Sequence, residues 1–277
     1  MTAQRVGILH PGEMGSAVAA TVRNSGHPVY WVAEGRSHKT RARAESAGLT
    51  DAGTLANLCE TCPVILSVCP PEFAADVAAQ VLAQGFGGTY LDANAISPAH
   101  KQEIAARLQA SGIRFVDGGI IGLAPKARGQ TWLYLSGKHA DTIAECFAAG
   151  PMEVEIIGTG IGKASALKMC FAAQNKGQIA LLLAVMGAAD RMGVLDVLRR
   201  QWERRAPDKT EAHVLRSVPK AWRWAPEMQE IAATFEAAGM PPEFHQAAAE
   251  LYFRLRDFKD TAPASIEEVL KKLRRDA

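Results

Sequence analysis

The sequence carries little net charge, which excludes the partners that a strongly charged chain would bind. Its 277 residues include 31 Lys and Arg against 29 Asp and Glu, a formal net charge of +2. A chain with both signs interspersed has no general affinity for polyanions, although one local pocket can still be basic. We therefore expect a small-molecule substrate, with anionic substrates left open, and no nucleic-acid partner.

Long apolar runs and targeting signals are also lacking. The most apolar run, residues 179–189, is shorter than the stretch of about 20 residues that crosses a bilayer. The N-terminal residues lack a signal-peptide pattern, because the apolar residues 6–9 are followed at once by Pro11 and Gly12. We expect a cytoplasmic protein without membrane association.

Cysteine is scarce. Five residues, an odd number spread through apolar segments, fit reduced thiols better than a disulfide framework. Cys59 and Cys62 form one CxxC motif, but no second ligand pair lies near it, so we interpret it as two thiols beside a buried strand. His213 and His245 lack partners at ligand spacing, and no metal site is predicted.

The sequence does contain a regular alternation of short apolar runs and helical patterns, up to about residue 157. The predicted strands are residues 6–9, 29–32, 64–68, 89–91, 114–116, 131–135 and 153–157. The predicted helices are residues 15–24, 37–47, 72–84, 98–110 and 140–147. Strand runs separated by helices of this length predict βαβ units and an α/β fold with a doubly wound, mostly parallel Rossmann sheet.

The strand pattern stops after Gly162, and the remaining chain reads as helix and loop. Breaks are expected at residues 240–242 and 261–263, and Ser265 with Glu268 forms a capping box before an apolar helix. We predict an NAD(P)-binding Rossmann domain over residues 1–160 and an all-helical substrate and dimerisation domain over residues 161–277. The apolar residues 179–185 are expected to pack against a second copy in a homodimer.

The first predicted strand turns into the first helix at a glycine-rich segment. Against the pattern G-x-G-x-x-G, His10 replaces the first glycine, while Gly12 and Gly15 hold the second and third places. A dinucleotide pyrophosphate binds at this position because the helix N-terminus exposes N–H groups. We assign Gly12, Glu13, Met14 and Gly15 to cofactor binding, the alternative being an ordinary strand-to-helix turn.

The segment after the second strand bears on the choice between NAD and NADP. Glu34 would accept hydrogen bonds from the free ribose hydroxyls of NAD, whereas Arg36, Ser37 and Lys39 offer donors to the extra phosphate of NADP. The donors outnumber the carboxylate, which favours NADP(H) over NAD. The alternative is a solvated first helical turn.

Several blocks resemble one family in its own order. Gly7-Ile8-Leu9-x-x-Gly12-x-Met14-Gly15 resembles the N-terminal fingerprint of the β-hydroxyacid dehydrogenases, the group of 3-hydroxyisobutyrate and 6-phosphogluconate dehydrogenases and the related imine reductases. Further blocks that resemble the family are residues 35–37, the loop 92–98, the substrate loop 117–122 and the start of the interdomain helix, 162–168. The match covers about residues 1–175, and the C-terminal half looks like a poorly characterised branch.

The resemblance implies a role for each site residue. It makes Lys168 the catalytic acid/base, brings the loop with Asn94 close to the nicotinamide side, and gives residues 117–122 to the substrate. The further cofactor-binding residues that we predict are Val68, Cys69, Pro70 and Asn94. The substrate-binding residues that we predict are Gly119, Ile121, Gly122, Asn175 and Trp224, the alternative for Trp224 being helical core.

Two departures from the family put its usual substrate in doubt. Ile121 replaces the serine of the substrate loop, and Ala172 replaces the asparagine that the family places four residues after the lysine. Asn175 lies seven residues after Lys168 and returns to the same helical face, so it could orient the substrate instead, the alternative being a structural role.

Lys168 is predicted to be the one inward-facing lysine on the apolar helix of residues 158–189, which suggests a chemical task. Burying a charged amine is costly unless it has a partner or a function. Hydride arriving at a carbonyl carbon leaves charge on oxygen, which a positioned ammonium can neutralise and protonate. The alternative is a lysine whose stem packs on the core while its head reaches water or pairs with a carboxylate.

We predict an NADP(H)-dependent oxidoreductase that transfers hydride between nicotinamide and a hydroxy or oxo substrate, with Lys168 as general acid/base. A hydroxy acid, an aldehyde or a ketone would serve as substrate. The alternatives are an imine reductase and a non-catalytic NADP(H)-binding sensor or regulatory protein.

Overall fold

The computed structural model describes residues 3–205 and 210–274. The strands are β1 (Val6–Ile8), β2 (Val29–Trp31), β3 (Thr50–Asp51), β4 (Val64–Ser67), β5 (Thr89–Asp92), β6 (Arg114–Ile121), β7 (Thr131–Ser136) and β8 (Met152–Ile156). The helices are α1 (Glu13–Asn24), α2 (His38–Ser46), α3 (Leu55–Thr61), α4 (Ala74–Ala83), α5 (Pro98–Ala110), α6 (Ala140–Glu145), α7 (Lys163–Arg191), α8 (Leu195–Arg205), α9 (Thr210–Ala221), α10 (Trp224–Ala237), α11 (Glu243–Arg254) and α12 (Ile266–Leu273).

The strands form one eight-stranded sheet in the order β3-β2-β1-β4-β5-β6-β7-β8. All neighbouring pairs are parallel except β6 and β7, which are antiparallel. The first six strands have the Rossmann order, in which ligands bind where the direction of winding reverses. Here that point lies between the carboxyl ends of β1 and β4, so the predicted Rossmann sheet is confirmed.

Two apolar clusters cover opposite faces of the sheet. Along β4, Val64 and Leu66 belong to one cluster and Ile65 to the other, as expected when successive side chains alternate across a strand. Helix α1 packs on the first face through Val18 and Val22. Helices α4 and α5 cover the second face, which explains the helical periodicity of their sequences.

The structure corrects the predicted elements at three places. The short strand β3 and the seven-residue helix α3 were not predicted, and Cys59 lies in that helix. Strand β6 continues through residues 117–121, which the resemblance had assigned to a loop. The extension forms because these residues pair with β7, from Asp117 with Ser136 to Ile121 with Trp132.

The chain divides into two compact units, Met1–Met169 and Cys170–Ala277. The division falls inside α7, whereas the boundary predicted from the sequence, between residues 160 and 161, lies ahead of this helix. The described part of the second unit contains helices and no strand, so its predicted all-helical class is confirmed. Ser265 caps α12 by accepting a hydrogen bond from the Glu268 N–H at 3.4 Å, and the Ala264 N–H donates to the Glu268 carboxylate at 2.8 Å.

One described helix, α7, is long and apolar enough to cross a membrane by length and composition. Its most apolar 18-residue window has a mean hydropathy of 1.2, and 44% of that window is buried inside the protein. The core helix of a soluble protein meets the same criteria, so this is weak evidence for a membrane span.

Candidate active site

The turn between β1 and α1 leaves space for a ligand at the helix N-terminus. Gly12 precedes the first helical residue, and a Cβ added at Gly12 would have no atom within 4 Å. Gly15 is needed for packing, because a Cβ there would lie 2.1 Å from the His10 carbonyl oxygen. The first turn of an α-helix has N–H groups without intrahelical partners, which suits a pyrophosphate beside Gly12.

A cavity of about 170 Å³ lies beside this turn, at the carboxyl ends of β1 and β2. Its ionisable lining residues are His10, Glu34 and Arg36, and the rest of its wall is apolar except for Gln80. The Arg36 Nε atom is buried and has no hydrogen-bond partner in the described part of the chain, and burial lowers the pKa of this guanidinium. An anion in the cavity would satisfy this donor, so the residues present fit the 2′-phosphate end of NADP.

The two other predicted phosphate ligands, Ser37 and Lys39, do not line this cavity. Ser37 caps α2, and its hydroxyl accepts a hydrogen bond from the Thr40 N–H at 3.3 Å. Lys39 lines a separate surface groove that it shares with Ser16 and Arg43. The structure therefore brings Arg36 together with His10 and Glu34, and not with Lys39.

Asn94 is buried and holds two strand ends together. Its Oδ1 accepts a hydrogen bond from the Cys69 N–H at 2.6 Å, and its Nδ2 donates to the Ser67 hydroxyl at 3.1 Å. Val68, Cys69 and Pro70 follow β4 directly, and Val68 lies 3.9 Å from the position of a Cβ added at Gly15. Asn94 thus fixes the segment beside the dinucleotide turn, and its predicted contact with the cofactor stays a prediction.

A fully buried lysine, Lys101, links β5 and β6. Its Nζ donates to the Asp92 carboxylate at 2.6 Å, to the Asp92 carbonyl at 2.9 Å and to the Asn94 carbonyl at 3.2 Å. It also forms an ion pair with the Asp117 carboxylate at 3.7 Å. A buried charge needs such partners, because its desolvation costs several kcal/mol otherwise.

The Asp117 carboxylate fastens the start of α7 to the sheet. One oxygen accepts from the Gly162 N–H at 2.9 Å, the Ser165 N–H at 3.2 Å and the Ser136 hydroxyl at 3.0 Å. The other oxygen accepts from the Ser165 hydroxyl at 2.6 Å. Ser136 in turn accepts from the Ala164 N–H at 3.1 Å. The first N–H groups of α7 are thereby bonded to β6 and β7, one turn before Lys168.

Lys168 lies on the face of α7 that packs on β6. A Cβ added at Gly119 would be 2.6 Å from the Ala164 carbonyl oxygen and 3.1 Å from the Lys168 Cβ. The absence of a side chain at Gly119 lets the helix approach the strand this closely, and Lys168 is half-buried there. Among the predicted site residues, the structure places Lys168 and Gly119 together.

Ile121 is the last residue of the same strand, and Gly122 follows it. Ile121 is two residues beyond Gly119, so it points to the same face of the sheet, and it is half-buried. Gly122 ends the strand with a φ of +124°, and a Cβ there would lie 2.4 Å from the Gln130 carbonyl oxygen. The predicted substrate residues 119–122 therefore occupy a strand and its end rather than a free loop.

Asn175 and Trp224 belong to the second unit. Asn175 is exposed. Trp224 is half-buried and meets Tyr252 edge-on, with ring centroids 5.2 Å apart, and the Lys176 Nζ lies 5.7 Å from the Trp224 ring centroid. Lys176 also forms an ion pair with Glu227, and the Tyr252 hydroxyl donates to the Lys176 carbonyl at 2.5 Å. Trp224 is thus part of an aromatic and ionic cluster within this unit.

Two groups of the site were not predicted from the sequence, the buried Lys101 and the imidazole of His10. Lys101 could have been found, since it shares a helical stripe with Ile104, Ala105 and Leu108, all buried on α5. His10 was treated only as a replaced glycine. The described residues contain no group of three or more His, Cys, Asp or Glu side chains placed to hold a metal ion.

Two family models match the chain. The NAD binding domain of 6-phosphogluconate dehydrogenase matches residues 5–149, and a domain of unknown function, DUF1932, matches residues 189–255. An uncharacterized 28.5 kDa protein of Methanothermus fervidus is 29% identical over 194 residues, 70% of this chain and 74% of its own length.

Two solved structures are similar over almost the whole chain. A conserved protein of unknown function, whose structure is similar to those of 3-hydroxyacid dehydrogenases, is 27% identical with a TM-score of 0.67 and covers 92% of this chain and 97% of its own. The 3-hydroxyisobutyrate dehydrogenase from Salmonella typhimurium is 21% identical with a TM-score of 0.72 and covers 97% and 99%, which shows a shared fold.

Proposed function

We propose that this chain is an NADP(H)-dependent oxidoreductase acting on a hydroxy or oxo substrate. The proposal starts from its family, because the chain belongs to the family that shares the NAD binding domain of 6-phosphogluconate dehydrogenase. The observation that carries this proposal is the placement of Lys168. Helix α7 is fastened to the sheet by Asp117, and it packs on Gly119, so the lysine stem is held on a rigid part of the nucleotide-binding unit. A site on rigid elements suits a group that must meet a reacting atom.

The chemistry assigned to the lysine is proton transfer. Nicotinamide, when bound, supplies or accepts a hydride at the substrate carbon. In reduction, the Lys168 ammonium donates its proton to the carbonyl oxygen as negative charge develops there, and the amine then regains a proton from solvent. In oxidation the neutral amine accepts the hydroxyl proton. The buried Asp117 and Lys101 hold the helix start and the strand ends, and they take no part in the transfer.

The preference for NADP over NAD is supported by Arg36. Its buried, unpartnered Nε–H lines the cavity beside the dinucleotide turn, where a phosphate would accept a charge-assisted hydrogen bond. Glu34 lines the same cavity and is the residue that would favour the ribose hydroxyls of NAD. We give Arg36 more weight than Glu34 and therefore propose NADP. A buried guanidinium donor without a partner is unfavourable, and a bound anion would remove this cost by accepting its hydrogen bond.

The substrate proposed is an aldehyde, a ketone or a hydroxy acid. Ile121 replaces a family serine on the strand face that carries Gly119, so this position offers an apolar contact rather than a hydroxyl. An apolar lining favours a less polar substrate than a small hydroxy acid.

A homodimer in the cytoplasm is also proposed. Three apolar side chains form an exposed stripe along α7 at spacings of four and three residues, namely Leu181, Val185 and Ala188, and the exposed Met192 follows directly after the helix. Such a stripe on one helical face is typical of a surface that packs against another subunit. The five free cysteines fit a reducing compartment.

A substrate panel tests the proposed reaction. Purified protein is mixed with NADPH, and separately with NADH, and with aldehydes, ketones, 3-oxo acids and imines, while the absorbance of the reduced nicotinamide is followed. We expect oxidation of NADPH with an oxo compound. Turnover of imines alone would assign the chain to imine reduction. Tight NADPH binding without turnover of any panel member would instead favour a sensor.

A further inference from the structure

The cavity beside α1 contains an imidazole at the position where the glycine fingerprint has its first glycine. His10 and Arg36 line this cavity together. The His10 Nδ1 and the Arg36 Nε are both buried, and neither atom has a hydrogen-bond partner in the described residues. Two adjacent side chains with unsatisfied nitrogen atoms in one cavity mark a place where a ligand is expected to complete the hydrogen bonding.

The protonation state of His10 depends on what surrounds it. Burial, and to a smaller extent the positive charge of Arg36, lower the pKa of His10 to about 4. Beside Arg36 alone the imidazole is therefore neutral near pH 7. A phosphate monoester carries about −1.5 to −2 charges at this pH, and next to Arg36 it would offset the charge that opposes protonation of His10.

We propose that His10 takes up a proton when the ribose 2′-phosphate of NADP(H) binds beside Arg36, so that the phosphate is held by one permanent and one induced cation. This inference rests on the proposed function, because it requires that the 2′-phosphate enters this cavity. The proton comes from solvent, and no bond of the cofactor is made or broken. Binding of NADPH then becomes tighter as the pH falls, whereas binding of NADH lacks this dependence.

The other ionisable groups around His10 do not account for such an effect. Glu34 lies on the same wall as an exposed carboxylate and repels the phosphate. Cys69 follows β4 near Arg36, but burial and the charge of Asp92 raise the pKa of its thiol to about 12, so it stays neutral near pH 7 and carries no charge that acts on the cavity. From α3 and α4 the wall receives Leu55, Val77, Gln80 and Val81, none of which titrates.

The phosphate itself titrates, and its contribution has the opposite sign. Its second pKa is about 6, and the dianion binds cations best, so this group alone would weaken NADPH binding as the pH falls. The contribution of His10 must therefore be obtained as a difference between the wild type and a variant without the imidazole. Linkage sets its upper limit at about one proton, equivalent to about a tenfold change in Kd per pH unit.

Calorimetric titration tests the proposal directly. The full-length protein is titrated with NADPH and with NADH at pH 6.5 in two buffers of different ionisation enthalpy, and the number of protons taken up is derived from the difference in heat. His10→Asn removes the titrating group and keeps a polar side chain, with His10→Gln as a second variant if the first is unfolded by circular dichroism. His213→Asn, an exposed position in the second unit, is the matched control.

We expect the wild type and His213→Asn to take up several tenths of a proton more than His10→Asn on binding NADPH, and no difference with NADH. Equal proton uptake by the wild type and the His10 variants, with NADPH binding intact in both, would overturn the inference. Binding of NADH with no binding of NADPH would overturn the proposed cofactor, and it is recognised by the absence of any NADPH titration heat.

Discussion

Gly119 of β6 and Lys168 of α7 are packed so closely that a Cβ added at Gly119 would lie 3.1 Å from the Lys168 Cβ. The same atom would lie 2.6 Å from the Ala164 carbonyl oxygen, a distance that real Cβ atoms do not reach. The strand and the helix can therefore approach this closely only because residue 119 is a glycine. The position of the proposed catalytic lysine depends on this close approach.

Gly119→Ala should lower both stability and turnover. The added methyl group has to push α7 away from β6, which costs about 1–3 kcal/mol as overpacking and moves the Lys168 side chain. Thermal unfolding and steady-state kinetics measure the two effects. Gly87→Ala is the matched control, since a Cβ there would meet no atom within 4 Å. Unchanged melting temperature and turnover in Gly119→Ala would show that the contact does not position Lys168.

Asp117→Asn should destabilise the protein strongly. The carboxylate accepts four hydrogen bonds from the start of α7 and from Ser136, and it forms an ion pair with the buried Lys101. An amide can accept only at its oxygen, so we expect a loss of about 3 kcal/mol or more in the free energy of unfolding. Denaturant titration gives this value, and the exposed Asp141→Asn serves as control. A loss below about 0.5 kcal/mol would contradict the assigned role.

Arg36→Ala should weaken NADPH binding selectively. Loss of a charge-assisted contact to a phosphate is expected to cost about 2 kcal/mol, or roughly thirtyfold in Kd, with little change for NADH. Lys39→Ala should have a much smaller effect, because Lys39 lines a different groove. Fluorescence titration of the reduced cofactors provides both constants. Equal losses for Arg36→Ala and Lys39→Ala would show that the cavity is not the phosphate site.

Alkylation should distinguish the cysteines. Burial raises the pKa of Cys59 and Cys146 to about 11. Burial is also the largest cause that raises the pKa of Cys62 and Cys69, in their case to about 12. The thiolate is the reactive form, so these four should react slowly at pH 8, while the exposed Cys170 reacts first. Mass spectrometry after brief treatment with iodoacetamide identifies the modified thiol. Rapid modification of Cys59 or Cys62 would revive a redox role for the CxxC motif.

The fold could be predicted from the sequence because hydrophobic periodicity marks each long element. The pattern of α5 gives its observed bounds, residues 98–110, since its helix carries a clear apolar stripe after the capping Ser97. Strand β3 was missed because it has only two residues, both exposed. The extension of β6 was missed because Gly118 and Gly119 resemble a turn, whereas tertiary packing explains them: a Cβ at Gly118 would meet Leu91 at 2.8 Å, and one at Gly119 would meet α7.

Part of the candidate site could be predicted, because certain residue types are expected at fixed positions along a strand-turn-helix unit. The glycine turn, Arg36 and Lys168 could be named in this way, and the resemblance to the β-hydroxyacid dehydrogenases is confirmed by the family match. The separation of Lys39 from Arg36 could not be seen in the sequence, because Arg36 precedes the capping residue Ser37 whereas Lys39 lies in the first turn of α2, so helical spacing does not relate their directions. The network of Lys101 and Asp117 joins residues that are distant in sequence, which no local pattern reveals.

Lys168 is proposed to transfer the proton, while the cofactor binds independently of it. With the best substrate of the panel, Lys168→Ala is compared with the wild type by kcat and by NADPH Kd, and Lys163→Ala, an exposed position on the same helix, is the control. We predict a fall in kcat of about 10²–10⁴-fold with NADPH Kd unchanged within about twofold, and no effect in the control. Wild-type turnover by Lys168→Ala would contradict the account.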